Sequence, residues 1–307
     1  MKYFLPTTAV EALKLAQNHP DYRYYAGGTD LQLRIKQRLS RPETIIDLSR
    51  IAELRQVQFQ PNGGLKLGAL VTLSELTAHP AIRDQFPLIY EAAKSIGSPV
   101  LRKTATLGGN LLLANRCTFY NQSLDWRNSM GSCLRDTGDI CQVTGVDGNC
   151  YSRNASDLAP ALIALEAGVS IRGKNGTRQA ALESLYHSDG IHYHQNLACG
   201  DLITEIRVPV SNGVHFYKKL RVRQALDYSS LTIAAIFQPA DHFRVCVNGV
   251  SMSPVWLEGF RGEMTFGAVE HFFRKHCQTV DNDTLPREYR RLMMVTWLRE
   301  WWESAAG

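Results

Sequence analysis

The chain has 307 residues, of which 44% are hydrophobic and 21% charged, with a formal net charge of +5. This is the composition of an ordinary globule of about two domains of roughly 100–200 residues each, long enough to bury its cores without disulfide or metal staples. The mild charge forms no basic stripe, which argues against a nucleic-acid binder, and no run of about 18 apolar residues offers a membrane span.

The first residues do not read as a targeting segment. Pro6 ends one short apolar stretch, and Glu11 and Lys14 interrupt the next, whereas a signal peptide needs a longer unbroken one. The expected compartment is therefore the cytoplasm. Thiols stay reduced there, so cysteines are read as buried, metal-binding or catalytic before disulfide-bonded.

Thr8-Ala-Val-Glu11 predicts a capped helix to about His19, because a Thr hydroxyl and a Glu three residues on can satisfy each other's free amides. Tyr22–Ala26 predicts a strand and Gly27-Gly28 a turn. Thr29-Asp-Leu-Gln32 predicts a second capped helix to about Leu39, and Thr44–Leu48 another strand, giving a strand-turn-helix-strand unit. After the turn at Pro61–Gly64, Leu65–Leu70 reads as a strand, Thr72–Glu75 as a helix cap and Pro87–Ser95 as an amphipathic helix. Thr104–Asn110 reads as a polar, glycine-containing turn. Leu113 to about Arg153 has no sustained period and looks like an irregular insertion, which is uncommon unless something organises it.

Asp157–Ala167 then reads as an apolar helix, and Val169–Arg172 and Leu202–Val208 as strands. A domain boundary is placed near Val210, dividing residues 1–210 from 211–307. Beyond it, Phe216–Arg223, Ser230–Ala235 and Phe243–Gly249 read as sheet, followed by two helices. The last, about Pro286–Glu303, presents Leu292, Val295, Trp297, Leu298 and Trp301 to a core.

Two glycine turns are candidate anion sites. Ala26-Gly27-Gly28-Thr29-Asp30-Leu31 joins a strand to a helix start. Paired glycines leave backbone amides unobstructed, and a helix N-terminus adds free donors, so a diphosphate could be cradled there. A ligand-free tight turn is the plainer alternative, and the string is not the GxGxxG fingerprint. Thr104 to Asn110 offers a second pair, Gly108-Gly109.

Cys117, Cys133, Cys141 and Cys150 share one window, separated by fifteen, seven and eight residues. Four thiolates suit a [4Fe–4S] cluster or a structural zinc, although the close CxxC pairs usual for zinc are absent. Spacing alone leaves cluster, zinc and neither open. Cys199, Cys246 and Cys277 are isolated and read as buried apolar residues. His187, His192 and His194 read as exposed and unligated, with no Cys or carboxylate companion close in sequence.

AGGTDL at Ala26–Leu31, TLGGN at Thr106–Asn110 and SDLAPAL at Ser156–Leu162 resemble, in order, the FAD-binding motifs of the flavin subunits of the xanthine dehydrogenase and carbon monoxide dehydrogenase family. The likeness continues through Gly200–Pro209 and the Lys219/Arg223 segment and is weakest over the last 60 or so residues. It implies an α+β fold: an FAD-binding domain of two α/β subdomains, like that of vanillyl-alcohol oxidase (PCMH type), plus a C-terminal α+β domain with an antiparallel sheet and helices. It also implies that Gly27, Gly28, Thr29 and Asp30, flanked by Ala26 and Leu31, hold the FAD pyrophosphate. Thr106, Gly109 and Asn110, with Gly108, would bind it from the other side. Asp157 would bond the ribityl or adenosine part. Ile203 and Lys219 would lie near the isoalloxazine ring, Lys219 as a cation favouring anionic reduced flavin; a surface lysine on a strand edge is the alternative.

The insertion at about residues 114–153 resembles that of the β subunits of 4-hydroxybenzoyl-CoA reductases, through Arg116–Ser123, Cys133-Leu134, Gly138–Cys141 and Cys150-Tyr151. In that family it carries a [4Fe–4S] cluster, which implies Cys117, Cys133, Cys141 and Cys150 as ligands. The His-rich stretch Tyr186–His194 and the C-terminal tail depart from the pattern. The implied partners are a small [2Fe–2S] subunit and a large molybdopterin subunit in a dimer of heterotrimers, with a ferredoxin-like electron donor or acceptor. The substrate, 4-hydroxybenzoyl-CoA, would react on the large subunit, so no catalytic acid or base is expected here. A related complex acting on a purine, an aldehyde or another aryl-CoA, a flavoprotein with a vestigial cluster site, and a zinc-stabilised interaction module are the alternatives.

Overall fold

Strand pairing sorts residues 1–304, which the computed structural model describes, into three sheets. The first holds β1 (Lys2–Phe4), α1 (Ala9–Asn18), β2 (Tyr22–Tyr25), α2 (Leu31–Lys36) and β3 (Thr44–Asp47). Both β1 and β2 run parallel to the central β3. The Thr8 hydroxyl accepts from the Glu11 amide at 3.2 Å, as expected. The Glu11 carboxylate, however, accepts from the Thr7 amide at 2.9 Å, so the reciprocal half of the box is shifted by one residue. Ala9, Ala12, Leu13 and Ala16 pack on Ile46 and Leu48. The second expected box does not form. The helix starts at Leu31, its cap Asp30 makes no side-chain capping bond, and it ends at Lys36 instead of Leu39.

The chain continues through β4 (Val57–Phe59), β5 (Leu65–Gly68), α3 (Leu73–Ala78), α4 (Pro80–Gln85), α5 (Pro87–Ser95), α6 (Pro99–Arg102) and α7 (Leu107–Leu111). Thr72 and Glu75 make a complete capping box on α3, and a proline opens each of α4, α5 and α6, where its missing N–H costs nothing. Within the otherwise irregular insertion lies α8 (Leu124–Met130); α9 (Leu158–Ala164), β6 (Gly168–Gly173), β7 (Gly176–Ala181) and β8 (Leu202–Val208) follow. The five strands pair antiparallel in the order β4-β5-β8-β6-β7. All seven residues of α9 are buried. A helix apolar on every side belongs in the middle of a core.

The third sheet is an antiparallel meander of β9 (Val214–Leu220), β10 (Leu231–Phe237), β11 (His242–Asn248) and β12 (Val255–Phe260), with α10 (Phe266–His276) and α11 (Arg287–Ser304) on one face. Because side chains alternate along a strand, Ile233, Ala235, Val245 and Val247 pack on Phe273, Met294, Leu298 and Trp301. Ala234, Ile236 and Cys246 face the other way, into the core of α5 and α9. Every residue of β10 is therefore buried. On α11 the face turns out to be Met294, Leu298 and Trp301, with Val295 and Trp297 flanking it, whereas Leu292 is exposed. Val210 lies in the link between β8 and β9.

Candidate cofactor sites

A cavity of about 540 Å³ opens where the first sheet meets α7, α9 and β8, within the usual size of a cofactor pocket. Ala26, Gly27, Gly28, Thr29, Asp30 and Leu31 line one side. Thr106, Gly108, Gly109 and Asn110 line another, with Asp157 and Ile203 between them. Gly27 lets the two turns meet, since a β-carbon there would lie 1.8 Å from the Thr104 carbonyl oxygen. Gly28 has φ +67° and a β-carbon would run into the Tyr25 ring, so glycine is needed for both conformation and space. Among the described residues the amides of Gly27 to Asp30 have no protein acceptor, which fits them to an anion's oxygens.

The second turn works differently. Thr104–Asn110 is not a simple turn, because Leu107 onward is helical. The Leu107 and Gly108 amides donate to Val71 and Ala69 at 2.9 and 2.8 Å, and the Gly109 amide donates to the Thr106 hydroxyl at 3.2 Å. Asn110 Oδ1 accepts from the Ser156 hydroxyl (2.8 Å) and the Leu158 amide (3.1 Å). Thr106 and Asn110 thus brace the cavity wall and hold Asp157 in place.

Asp157 Oδ2 accepts from Lys219 Nζ at 2.9 Å, while Oδ1 is buried with no partner. Burial pushes this carboxyl up, against the pull of Lys219, Arg221 and Arg153. An unpartnered acceptor on the wall suits a ligand hydroxyl. Lys219 is not on a solvated strand edge. It is buried, and it also donates to the Ser95 and Asp227 carbonyls at 3.2 Å each. It stands behind Asp157 and does not itself line the cavity. Leu226, Asp227 and Tyr228 do line it. Nothing in their local pattern sets them apart; only the Leu226 backbone, at φ +55°, marks the loop.

Cys117, Cys133, Cys141 and Cys150 line a second, small cavity with Phe119, Tyr120 and Tyr151. Three of them begin tight turns: Asn121, Asp136 and Thr144 amides donate to the Cys117, Cys133 and Cys141 carbonyls at 3.0, 2.8 and 3.2 Å. Such turns aim amides at the sulfurs. Burial pushes the Cys117 and Cys133 thiols up, opposed by the amides of Tyr120 and Phe119 and of Arg135 and Asp136. At Cys141 burial is outweighed by the Thr144 hydroxyl and the Thr144, Val143 and Tyr151 amides, and the thiol is lowered. Buried Arg127 ties the loop together through Asp136 and the Gln122 carbonyl at 2.9 and 2.7 Å. Arg135 sits over Tyr120 and Tyr193, at 4.4 and 5.0 Å.

The His-rich segment packs against Cys150 and Ser152. The Gly190 amide donates to the Cys150 carbonyl at 3.1 Å, and the Ser152 hydroxyl to the Gly190 carbonyl at 2.6 Å. His187 and His192 are exposed, but His194 is packed against Tyr186 and Tyr193, with centroids at 5.9 and 4.8 Å. Cys246 and Cys277 are buried as expected; Cys199 is exposed instead. Among the described residues no helix is long and apolar enough to cross a membrane.

Residues 1–211 match the family described as the FAD binding domain in molybdopterin dehydrogenase. The FAD-binding subunit PaoB of an Escherichia coli aldehyde oxidoreductase is 33% identical over 270 residues, 85% of each chain. The carbon monoxide dehydrogenase medium chain of Hydrogenophaga pseudoflava is 27% identical over 271 residues, 86% of this chain and 79% of that one. In solved structures, a chain of carbon monoxide dehydrogenase from Oligotropha carboxidovorans has the same fold, with a TM-score of 0.77 at 22% identity over 98% of this chain and 95% of that one. The chain therefore belongs to the FAD-binding subunits of the molybdenum hydroxylase-type oxidoreductases.

Proposed function

We propose that this subunit carries electrons between a [4Fe–4S] cluster on Cys117, Cys133, Cys141 and Cys150 and FAD in the larger cavity, and exchanges them with a partner [2Fe–2S] subunit. The observation that supports the cluster is that four cysteines from one insertion ring a single cavity, although no three His, Cys, Asp or Glu side chains among the described residues approach closely enough to hold one metal ion. FAD, when bound, supplies electron exchange singly or in pairs, and the cluster one electron at a time. The chain's own residues do the rest. The amides of Gly27 to Asp30 bind the diphosphate, and Asp157 Oδ1 orients a hydroxyl. The amides of the cysteine turns bond the thiolates, which sets the cluster potential.

In this reading the partners are a small [2Fe–2S] subunit and a large molybdopterin subunit, in a dimer of heterotrimers, with a ferredoxin-like carrier at the cluster. The cysteine insertion favours 4-hydroxybenzoyl-CoA as the substrate reduced on the large subunit. A second reading, an aldehyde, is favoured by the 33% identity to PaoB. Anaerobic purification of this chain alone, with iron, sulfide, zinc and flavin analysis, tests the cofactors. The expected result is about four irons and four sulfides per FAD on this chain, lost when any one of the four cysteines becomes serine. Zinc without iron would overturn the cluster. Turnover of 4-hydroxybenzoyl-CoA against aromatic and aliphatic aldehydes decides the substrate.

A further inference from the structure

Arg116 stands between the two cavities and lines neither. Its guanidinium ion-pairs with Asp30 in the first glycine turn, the two side chains being 5% and 20% exposed, and lies 4.3 Å from the centre of the Tyr228 ring. Asp30 and Tyr228 both line the larger cavity. The backbone of Arg116 is clamped to that of Arg153 in both directions, at 2.7 and 2.8 Å. The next residue is Cys117. The conformation that places the Cys117 sulfur therefore also places the guanidinium.

Asp30 needs this partner. It does not cap the helix that follows it. A bare carboxylate beside two phosphates would repel them, strongly so in a pocket of low dielectric. Paired with Arg116 it is electrically neutral, and the free amides around it govern the turn.

We propose that Arg116 is a positioning residue that couples the two sites: a filled four-cysteine site fixes Cys117 and Arg116, and Arg116 neutralises Asp30 and holds Tyr228 at the FAD cavity, so that FAD binds tightly only once the cluster is in place. The proposal rests on the cluster reading above. Couplings of this kind are reciprocal, so bound FAD raises the affinity for the cluster by the same factor.

The test uses the full chain and measures FAD affinity by flavin fluorescence, before and after iron is stripped with a chelator, for the wild type, Arg116→Met, Arg116→Lys and Asp30→Asn/Arg116→Met. Stripping the wild type should weaken FAD on the order of tenfold, within the usual span of such couplings. Arg116→Met should weaken FAD similarly with the cluster still present, and stripping should then change little. Arg116→Lys should retain most of the affinity. The double variant should recover most of what Arg116→Met loses, which a merely misfolded protein would not do. Equal affinity before and after stripping, or no rescue by Asp30→Asn in material with full iron, overturns the role of Arg116 alone. Protein lacking both iron and sulfide overturns the cluster reading and the coupling together.

Discussion

Gly190 lies with its α-carbon against Cys150: a β-carbon there would sit 2.1 Å from the Cys150 carbonyl oxygen and 2.8 Å from its sulfur. Close approach is what demands glycine here, since Gly190 is not among the residues with positive φ. The stretch Tyr186–His194, which departs from the pattern of the cysteine-insertion family, is thereby packed against Cys150 through Gly190.

Gly190→Ala should push that segment away from Cys150. The clash is with backbone as well as sulfur, so it cannot be relieved by a rotamer change, and overpacking of this kind costs about 1–3 kcal/mol. The expected outcome is reduced iron and sulfide, or an altered electron paramagnetic resonance signal of the reduced protein, with flavin affinity falling only in step with the iron lost. Full iron with an unaltered signal would count against a role for this contact at the four-cysteine site.

Gly27→Ala should act on the other cavity. Its β-carbon would overlap the Thr104 carbonyl oxygen at 1.8 Å, so the two turns must separate. Flavin should be lost while the four-cysteine site keeps its iron, and the melting temperature should fall by several degrees, as about 1–3 kcal/mol of overpacking predicts. Flavin and iron analysis of one preparation separates this from general unfolding, which would remove both.

Where the chemistry is local, the sequence pattern and the structure agree. Thr8 and Thr72 cap helices through bonds three residues long, and Pro87–Ser95 is the helix its pattern predicts. The misses have a common cause. Asp30 looks like part of a helix cap in sequence, but its carboxylate is taken by Arg116, 86 residues away. The alternative of a surface lysine at Lys219 fails for the same reason, because the side chain is buried beside Asp157, 62 residues away. The short helix at Leu107 is hidden by its two glycines, poor helix formers that the Thr106 cap and burial override. Strand β7 is mostly exposed, so it has no hydrophobic alternation to detect. The glycine turns and the four cysteines stand out in sequence as candidate sites because residue type alone limits what they can do; Tyr228 does not, because only folding brings it to the cavity.

His194 gives a pH signature. Burial lowers it from 6.5 to about 4. The unfolded chain therefore takes up a proton near pH 6.5 that the folded chain resists, and stability present above that pH is lost as the pH falls toward about 4. By pH 5 the loss should be on the order of 1–2 kcal/mol. Urea denaturation between pH 7 and pH 5 should show it in the wild type and much less of it in His194→Asn. An equal slope in both proteins would assign the acid lability to another group.

The buried pair of Asp157 and Lys219 separates a charge requirement from a shape requirement. Removing one member of such a pair strands the other in a site with little solvent, typically at a cost of about 3–5 kcal/mol. Lys219→Met should therefore lower stability sharply and release flavin, because the uncompensated Asp157 carboxylate must take up a proton or move. Asp157→Leu/Lys219→Met, with both charges gone, should regain much of the stability. It should not regain full flavin affinity, since leucine has no acceptor where the carboxylate oxygen Oδ1 of Asp157 now waits without a partner. Denaturation curves and flavin titrations of the single and double variants give the two quantities independently. If stability and affinity recover together, Asp157 serves only as the counter-ion of Lys219; recovery of stability alone shows that its free oxygen belongs to the cofactor.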